Sequence, residues 1–437
     1  MSLQNDHFKK ASMVLPGGVN SSTRFNKAIQ MPFYVSQGRG SKVTDLDGKE
    51  YLDMCCAHGA GLLGNAHPAV DEALRKAMEI GYVNSFETVH HEELASIVCK
   101  TVACADKVRF CSSGSEATMH MIRACRAFTK KDKIIRVEGH FHGYHEMIYI
   151  GGQPPQSAFP NNKTQPYLES EGMPASLAEL IIPIPYNDKD YLIQTIQKHA
   201  HETALLILEP INFNTAGIRA DADFLQLVRK LTADNNIVLF FDEIQSAYKN
   251  SFQAAQNELG ITPDVTTIGK SIGGGFPLSA FCGKKEIMDL YAPLGKVQHS
   301  GTFNAHLIPI LAGLAFMNEA SKPYFYSHLQ ELGKQLFDGM DSIITKHDLN
   351  MVVPHFGARF NMLIGRKIPA RKYEETFCHN NQVFLQILKA CWERGVYFHD
   401  YGGGPAHHGF SIQHTPKDID LALSVLEEVL VEFKNKF

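Results

Sequence analysis

Lys270 is the side chain whose place in the sequence most strongly suggests covalent chemistry. It follows the short apolar run Val265–Ile268 and one glycine, and three glycines come soon after it at positions 273–275. A lysine in a partly desolvated pocket is the residue type that forms Schiff bases with carbonyl compounds. The glycines do not form a GxxxxGK[ST] phosphate loop, because the first glycine of that pattern is absent. A lone lysine is usually solvated surface, but this context predicts a reactive amine.

Asp242 is the second candidate, in the segment FFDEIQ that closes an apolar run. A carboxylate at the end of a buried strand is costly unless it is paired or has a functional role. Beside a pyridine nitrogen, it would keep that nitrogen protonated and make the ring an electron sink. A helix cap or a solvated strand end is an equally good interpretation of this residue alone.

Two segments could hold a phosphate. In Ser112–Ala117 (SSGSEA), small and hydroxyl residues follow a predicted strand and open a helix, whose N–H groups and positive end favour an anion. The alternative is that Ser112 or Ser113 is only an N-cap, with Glu116 completing the cap. The turn Ser300–Asn304 (SGTFN) could make a second phosphate contact, although an ordinary surface turn has the same composition.

Phe141 lies between histidines and glycines in the segment GHFHGYH at residues 139–145. An aromatic ring in this setting could stack on a flat heterocycle. The three histidines also raise the possibility of a metal site. No cysteine or carboxylate completes such a site nearby, so we predict no metal. Taken together, these clusters suggest a phosphate cradle, a stacking ring, a pyridine partner and a Schiff-base lysine.

The elements that must position these residues alternate between apolar strands and helices. Continuous apolar strands separated by helices indicate a parallel sheet covered on both faces, and such sheets bind ligands at the carboxyl ends of their strands. The predicted helices include 115–128 and 222–235. The predicted strands are Lys107–Cys111, Lys133–Val137, Ala204–Leu208, Ile237–Phe241, Val265–Ile268 and Ser279–Cys282.

The two ends of the chain have a different pattern. Residues 42–53 predict an antiparallel hairpin with Asp47-Gly48 in its turn. After residue 305 we expect helices over 311–319, 329–347 and 417–434, with short strands near 358–363 and 396–399. We therefore predict a large α/β domain at 61–305 and a small α+β domain built from 1–60 and 306–437. The long loop over 151–174 is expected to cover a site.

Composition excludes several classes of protein. The net charge is −4 without a basic run, which argues against nucleic-acid binding. No apolar stretch reaches the roughly 18 residues that a membrane span needs. Nine cysteines without a CxxC pair suggest neither a zinc site nor a disulfide framework. We expect a soluble protein of the cytoplasm.

The motifs resemble those of fold-type I pyridoxal-phosphate (PLP) enzymes, and within them the class III aminotransferases. SSGSEA resembles that family's NSGTEA, GHFHG its G-[CYG]-YHG, FDEIQ its DEVxTG, and IGKSIGGGFP its LGKxIGGGxP. PGGVNSSTRF, DLDGKEYLD, LLGNAHP and QHTPKDID are similar to the glutamate-1-semialdehyde aminomutase subgroup. The resemblance covers essentially the whole chain, and it implies a PLP-transferase fold with a mostly parallel sheet.

The resemblance also implies a role for each matching residue. Lys270 would form the Schiff base with PLP and carry the proton during amino transfer, while Asp242 would pair with the pyridine nitrogen. Thr302 would reach the phosphate from a neighbouring subunit, because the family's site lies at a homodimer interface. Arg24 would pair with a substrate carboxylate, and His58 would line the substrate pocket. The implied cofactor-binding residues are Ser113, Gly114, Ser115, Phe141, His142, Glu209, Asn214, Asp242, Gln245, Lys270 and Thr302.

Departures from the family pattern gather on the substrate side. His58 stands where the aminomutase subgroup has tryptophan, and histidines at 407 and 408 stand near an acidic position. DEIQSAYKN replaces DEVxTGFR and so lacks its arginine. We therefore expect an aminotransferase that moves an amino group between an amino-carboxylate donor and a carbonyl acceptor. An aminomutase, a racemase or epimerase, and a non-catalytic cofactor-binding protein are the alternatives.

Overall fold

The computed structural model of the chain describes residues 2–82, 85–159 and 164–437. Helices and strands are numbered in chain order. The helices are α1 (Leu3–Ser12), α2 (Pro68–Ile80), α3 (Val89–Thr101), α4 (Gly114–Thr129), α5 (Lys189–His199), α6 (Ala222–Asp234), α7 (Ala255–Leu259), α8 (Lys285–Met288), α9 (Leu307–Ala320), α10 (Pro323–His347), α11 (Asn381–Glu393) and α12 (Pro416–Phe433). The strands are β1 (Phe25–Asn26), β2 (Met31–Pro32), β3 (Val35–Arg39), β4 (Lys42–Asp45), β5 (Glu50–Asp53), β6 (Lys107–Cys111), β7 (Lys133–Val137), β8 (Ile181–Ile184), β9 (Thr203–Leu208), β10 (Ile211–Asn212), β11 (Ile218–Arg219), β12 (Val238–Glu243), β13 (Val265–Ile268), β14 (Ser279–Gly283), β15 (Met351–Val352), β16 (His355–Phe356), β17 (Arg359–Asn361), β18 (Leu363–Ile364), β19 (Val396–Tyr397) and β20 (His407–Gly409).

A central sheet organises the middle of the chain. Within the described residues it has seven strands in the order β6-β14-β13-β12-β9-β7-β8. The six predicted strands are all present in it, and the α/β fold class with a mostly parallel sheet is confirmed. One strand departs from the parallel direction: β14 runs antiparallel to both of its neighbours. The sequence analysis also missed β8, because Pro183 interrupts its apolar run and proline is tolerated only at a sheet edge.

Alternate residues of the strands face two separate apolar layers. Leu205 packs with Met121 of α4 on one face, whereas the adjacent Leu206 packs with Phe224 of α6 on the other. This alternation follows from the two-residue period of a strand. The sheet is therefore buried on both faces, which leaves the strand ends as the places where polar side chains can meet a ligand.

A second sheet joins the two ends of the chain. Its order is β19-β5-β4-β3, and β19 pairs in parallel with β5 through Val396 and Leu52. The antiparallel pairing of β4 and β5 confirms the predicted hairpin. The domain bounds 1–60, 61–305 and 306–437 stay a prediction. No helix among the described residues is both long enough and apolar enough to cross a membrane.

Candidate active site

The carboxyl ends of the parallel strands bring the predicted chemical residues together. Glu209 follows β9, Asp242 lies near the end of β12, and Lys270 comes two residues after β13. The segment 138–145 follows β7 at the same edge. Since β7, β9, β12 and β13 run parallel to one another, one edge of the sheet collects side chains that are distant in sequence.

These side chains enclose a pocket of about 200 Å³. Every predicted cofactor residue except Ser113 and Thr302 is in its wall. The lining residues are Gly114, Ser115, Phe141, His142, Gly143, Tyr144, Glu209, Asn214, Asp242, Ile244, Gln245, Lys270 and Ser279. The individual roles of the predicted residues stay predictions, but the structure places them around one small space.

Lys270 begins a short turn and has a left-handed backbone with φ of 51°. Such a conformation is strained for a residue with a Cβ atom and is characteristic of functional sites. Burial lowers the pKa of Lys270 to about 8, while the nearby charge of Glu209 opposes that change. The amine therefore reaches its neutral, nucleophilic form at a lower pH than an exposed lysine would.

Asp242 is a buried carboxylate held by three hydrogen bonds. Its Oδ2 accepts from His142 Nδ1 at 2.8 Å, and its Oδ1 accepts from Thr267 Oγ1 at 3.2 Å and from the backbone N–H of Ile244 at 3.1 Å. A carboxylate only accepts hydrogen bonds, so His142 carries its proton on Nδ1. These contacts fix the carboxylate in the wall of the pocket. Because Asp242 is only 4% exposed, the alternative interpretation as a solvated strand end was wrong.

Glu209 is the second buried acid of the pocket. It accepts hydrogen bonds from the backbone N–H of Phe141 at 2.7 Å and from the Asn214 side chain at 3.0 Å. Burial, followed by the negative charge of Asp242, raises its pKa to about 8. Glu209 thus fixes the segment that carries the Phe141 ring, and it can hold a proton near neutral pH.

The N-terminus of α4 opens onto the pocket through Gly114 and Ser115. Ser113 is outside the pocket wall: it caps α4 by accepting from the backbone of Glu116, whose side chain returns to the N–H of Ser113. The alternative interpretation of Ser113 as an N-cap was therefore correct. A Cβ atom at Gly143 would lie 2.8 Å from Ser115, so only glycine lets this loop approach the helix end so closely.

The pocket fits PLP in the chemistry of its polar groups. His142 Nε2 and both polar atoms of the Gln245 amide are buried without a hydrogen-bond partner in the described parts of the chain. Unpartnered buried polar atoms are rare, and they mark a place where a ligand completes the bonding. The helix end suits a phosphate, the Asp242 carboxylate suits a protonated pyridine nitrogen, and the Lys270 amine suits an aldehyde. These are the functional groups of PLP.

The remaining predicted residues lie outside this pocket. Thr302 is exposed and lines a separate hollow with Ser300, Gly301 and Asn304. Arg24 is also exposed, although its charge is close enough to lower the pKa of His58. Thr302 is therefore not in the pocket wall, although the carbonyl oxygen of the next residue, Phe303, accepts from Ser112 Oγ at 3.4 Å just before α4.

A wider cavity of about 1340 Å³ adjoins the pocket and shares Phe141, Asn214 and Lys270 with it. Its wall includes His58. The loop predicted to cover a site contributes Gln153, Glu169 and their neighbours to this wall; residues 160–163 of that loop lie outside the described residues.

Sequence analysis missed Arg359 and Tyr401. Arg359 is 1% exposed in β17 and contacts the cavity residue His407, while Tyr401 lines the cavity directly. A signal was present for the arginine, because arginine is seldom buried and this one stands inside a predicted strand.

The histidines of residues 139–145 do not converge as metal ligands. His142 bonds to Asp242, His140 accepts from the backbone N–H of Glu209, and His145 contacts Thr118. In the parts of the chain that the structure describes, the group with donor atoms close enough for a metal is Cys55, His58 and His399, whose atoms lie within 4.8 Å of one another. The sequence analysis did not anticipate this group.

Comparison with known proteins agrees with the chemistry of the pocket. The family model for the class-III aminotransferases matches residues 25–429. Two proteins named glutamate-1-semialdehyde 2,1-aminomutase are similar: that of Methanobrevibacter smithii is 36% identical over 96% of this chain and 98% of its own, and that of Fusobacterium nucleatum is 33% identical over 97% and 96%. The crystal structure of an omega-transaminase from Sphaerobacter thermophilus superposes with a TM-score of 0.90 at 29% identity, covering 98% of this chain and 97% of that one. The chain belongs to the class-III aminotransferase family and is a PLP-dependent enzyme.

Proposed function

We propose that the enzyme moves an amino group between an amino-carboxylate donor and a carbonyl acceptor, with Lys270 as its central residue. The observation that carries this proposal is the meeting of a Lys270 amine of lowered pKa with two buried carboxylates, Asp242 and Glu209, in one small pocket. This set of groups provides a nucleophile, an anion for a cationic ring and a proton-holding acid.

Lys270 both holds the cofactor and transfers a proton. Bound PLP supplies an aldehyde that condenses with amines and a ring that accepts electrons from the substrate carbon. The Lys270 Nζ in its free form would be the nearby base for the proton of the substrate α-carbon. Its pKa of about 8 is close to the pH at which a general base accepts and returns a proton efficiently.

The Asp242 carboxylate would pair with the ring nitrogen of bound PLP. His142 is buried beside it and donates to its Oδ2 at 2.8 Å, which orients the carboxylate without neutralising it. Burial lowers the pKa of His142 more strongly than Asp242 raises it, so this partner is an uncharged donor. His142 is therefore not a charged partner of this carboxylate, which would be available to the cofactor.

The substrate would enter through the wider cavity, whose wall combines aromatic rings with neutral polar groups and with charged groups, among them Lys27, Glu169 and Asp400. Arg24 stands near His58 at the rim and could pair with a carboxylate there. An amino-carboxylate donor is supported by this cationic rim and by the resemblance that assigns Arg24 to carboxylate binding. The departures at 58 and 407 lie in this same wall, on the substrate side of Lys270.

Intramolecular amino transfer is the second candidate function. It is supported by the name glutamate-1-semialdehyde 2,1-aminomutase that relatives 31–36% identical to this chain carry. The two candidates use the same cofactor residues and differ in whether the amino group leaves with a second substrate. His58 and His407 in the cavity wall favour a different substrate from that of these relatives.

We also propose a homodimer that shares its active sites, in the cytoplasm. Thr302 is exposed on one protomer and is not in the wall of its own pocket, as a residue that serves the partner's phosphate would be. The nine cysteines are all free, which suits a reducing compartment.

The central experiment follows the visible spectrum of the purified enzyme while candidate amino donors are added without a carbonyl acceptor. Conversion of the bound cofactor to its amine form, with one equivalent of carbonyl product released, is the expected result. Isotope-labelled substrate that returns its own amino group to a neighbouring carbon, with no free carbonyl product, would instead establish the aminomutase. Full turnover by Lys270→Ala would refute both.

The shared site has its own test in mixed dimers. Lys270→Ala and Thr302→Ala protomers are prepared separately, each with low activity, and are then dissociated and reassembled together. A hybrid dimer contains one site with an intact lysine and an intact threonine, so activity should return. If the mixture stays as inactive as its components, the threonine does not act across the interface.

A further inference from the structure

A chain of hydrogen bonds leads from a buried arginine to the wall of the substrate cavity. Arg359 donates to the carbonyl oxygen of Cys55 at 3.0 Å, to the carbonyl oxygen of His407 at 3.3 Å and to His407 Nδ1. His407 Nε2 lies 3.4 Å from the Tyr401 hydroxyl, which lies 2.7 Å from His58 Nδ1. Within the described ranges, the guanidinium Nε of Arg359 is buried without a hydrogen-bond partner.

The arginine sets the direction of every bond in this chain. A guanidinium has N–H groups only and cannot accept a hydrogen bond, so His407 Nδ1 must be the acceptor. A neutral imidazole that accepts at one nitrogen carries its proton on the other, so His407 Nε2 donates to the Tyr401 oxygen. The Tyr401 hydroxyl then has its own proton to give to His58 Nδ1. His58 is left with its proton on Nε2.

The surroundings keep His58 in this neutral form. Burial, and then the charges of His399, Lys270 and Arg359, lower its pKa to about 2. The ring also packs edge-to-face against His399, with centroids 4.2 Å apart, so its orientation is restricted. Lys270, Tyr401, His407 and His58 line the same cavity.

We infer that the His58 Nε2–H is a binding group for a carboxylate oxygen of the amino substrate, and that Arg359, His407 and Tyr401 are positioning residues that fix its proton. The inference rests on the proposed function, because it names the chemical class that the cavity beside Lys270 accepts. The ligand that matches this place is an oxyanion, because His58 offers it a hydrogen-bond donor. The positive charges of Lys270, Arg359 and Arg24, which act on His58, also favour a negative ligand there. This hydrogen bond from His58 would add to an ion pair between the substrate carboxylate and Arg24.

A metal ion is the competing occupant of this place. Cys55, His58 and His399 offer donor atoms within 4.8 Å of one another, and tyrosine hydroxyls hold the Nδ1 atoms of both rings. A metal would need the Nε2 of His58 without its proton, whereas the chain from Arg359 places a proton there. The cations that act on His58 also disfavour a further positive charge.

The first test measures the tautomer of His58 by nitrogen NMR of histidine-labelled holoenzyme, with His58→Phe used to assign the signal. The expected result is a neutral ring protonated at Nε2, which becomes a mixture of tautomers in Tyr401→Phe. Arg359→Met should have the same effect; because that buried substitution can impair folding, Tyr401→Phe is the decisive variant. A ring protonated at Nδ1, or an equivalent of bound zinc measured by elemental analysis, would overturn the inference.

The second test compares an amino-carboxylate donor with an amine of the same size that lacks the carboxylate. His58→Phe and Tyr401→Phe should raise KM for the carboxylate substrate by roughly 10-fold or more, the usual effect of losing a hydrogen bond to a charged group, and leave KM for the plain amine within about twofold. His408→Leu is the control, since His408 is buried next to His407 but its side chain makes no hydrogen bond to another described residue. Equal losses on both substrates would refute carboxylate binding by His58. A wild-type enzyme that transfers no amino group would refute the proposed function, and the tautomer measurement would still decide the inference.

Discussion

Replacing Asp242 with asparagine separates a cofactor role of this residue from a structural one. The carboxylate accepts from His142 Nδ1, Thr267 Oγ1 and the Ile244 N–H at 2.8–3.2 Å. Asparagine has nearly the same shape, but an NH₂ group replaces one of the two oxygens. The substitution therefore removes the negative charge, and its NH₂ group faces one of these hydrogen-bond donors.

The expected loss follows from the bonds that the charge makes. A hydrogen bond to a charged group contributes about 1.5–3 kcal/mol, and 1.4 kcal/mol corresponds to a tenfold change in an equilibrium constant. If the ring nitrogen of PLP pairs with this carboxylate, Asp242→Asn should weaken PLP binding roughly 10- to 150-fold. Amino transfer should fall further even at saturating PLP, because the ring is then a poorer electron acceptor.

The assay titrates apo-protein with PLP and follows the cofactor absorbance, and it then measures the half-reaction with the amino donor at saturating PLP. Glu243→Gln is the matched control. Glu243 is the next residue of β12, equally buried, and it points to the other face of the sheet, where it accepts from the Gln256 side chain at 2.7 Å. If Asp242→Asn binds PLP as tightly as Glu243→Gln does, the assignment of Asp242 to the pyridine nitrogen is wrong.

Three further predictions concern single groups. Lys270→Ala should lower turnover by at least about 100-fold at saturating PLP, because the proton-transferring amine is lost, and it should abolish the visible band of the lysine-linked cofactor. A variant that keeps the wild-type spectrum and rate would contradict this. The rate at which apo-protein captures PLP, measured by stopped-flow absorbance, should rise with pH and reach half its maximum near pH 8, because burial lowers the pKa of Lys270 to about 8. A midpoint near the ordinary lysine pKa of 10.5 would disprove this. Burial, with a smaller effect of Glu374, raises the pKa of Glu138 from 4.5 to about 8. The unfolded chain therefore loses this proton at a lower pH than the folded protein does, and the free energy of unfolding falls as pH rises from 4.5 to about 8. Glu138→Gln should remove this fall in the free energy of unfolding, which is on the order of 4 kcal/mol and is measured by urea unfolding at pH 5 and pH 8. If the free energy of unfolding changes with pH by the same amount in the variant and the wild type, the prediction is wrong.

The strands of the central sheet could be predicted because their apolar runs are continuous and bounded by helices. Lys107–Cys111, Lys133–Val137 and Val265–Ile268 begin and end where the sequence analysis placed them. The antiparallel direction of β14 could not be predicted. The 10 residues between the end of β13 and the start of β14 hold a turn rather than a covering helix, and only the pairing shows that the chain reverses there.

The candidate site was predictable where one residue type carries the chemistry at a strand end, as at Lys270 and Asp242. Ser113 shows the limit of this reasoning, since the same hydroxyl can bind an anion or cap a helix, and the structure has it as the cap. Arg359 shows another limit. It is about 90 residues after Lys270 in sequence, and its influence on that amine arises only because β17 packs near the turn that carries the lysine.

The left-handed backbone of Lys270 has a consequence for how this protein could be engineered. A residue with a Cβ atom in that conformation costs about 1–3 kcal/mol, and desolvation of the amine adds to the cost. Glycine would adopt the same φ of 51° without strain and would remove the buried amine. The position that matters most for activity is therefore one that lowers the stability of the fold, and a search for thermal tolerance alone would select against the lysine. Stabilising substitutions in this enzyme should be chosen under simultaneous selection for catalysis.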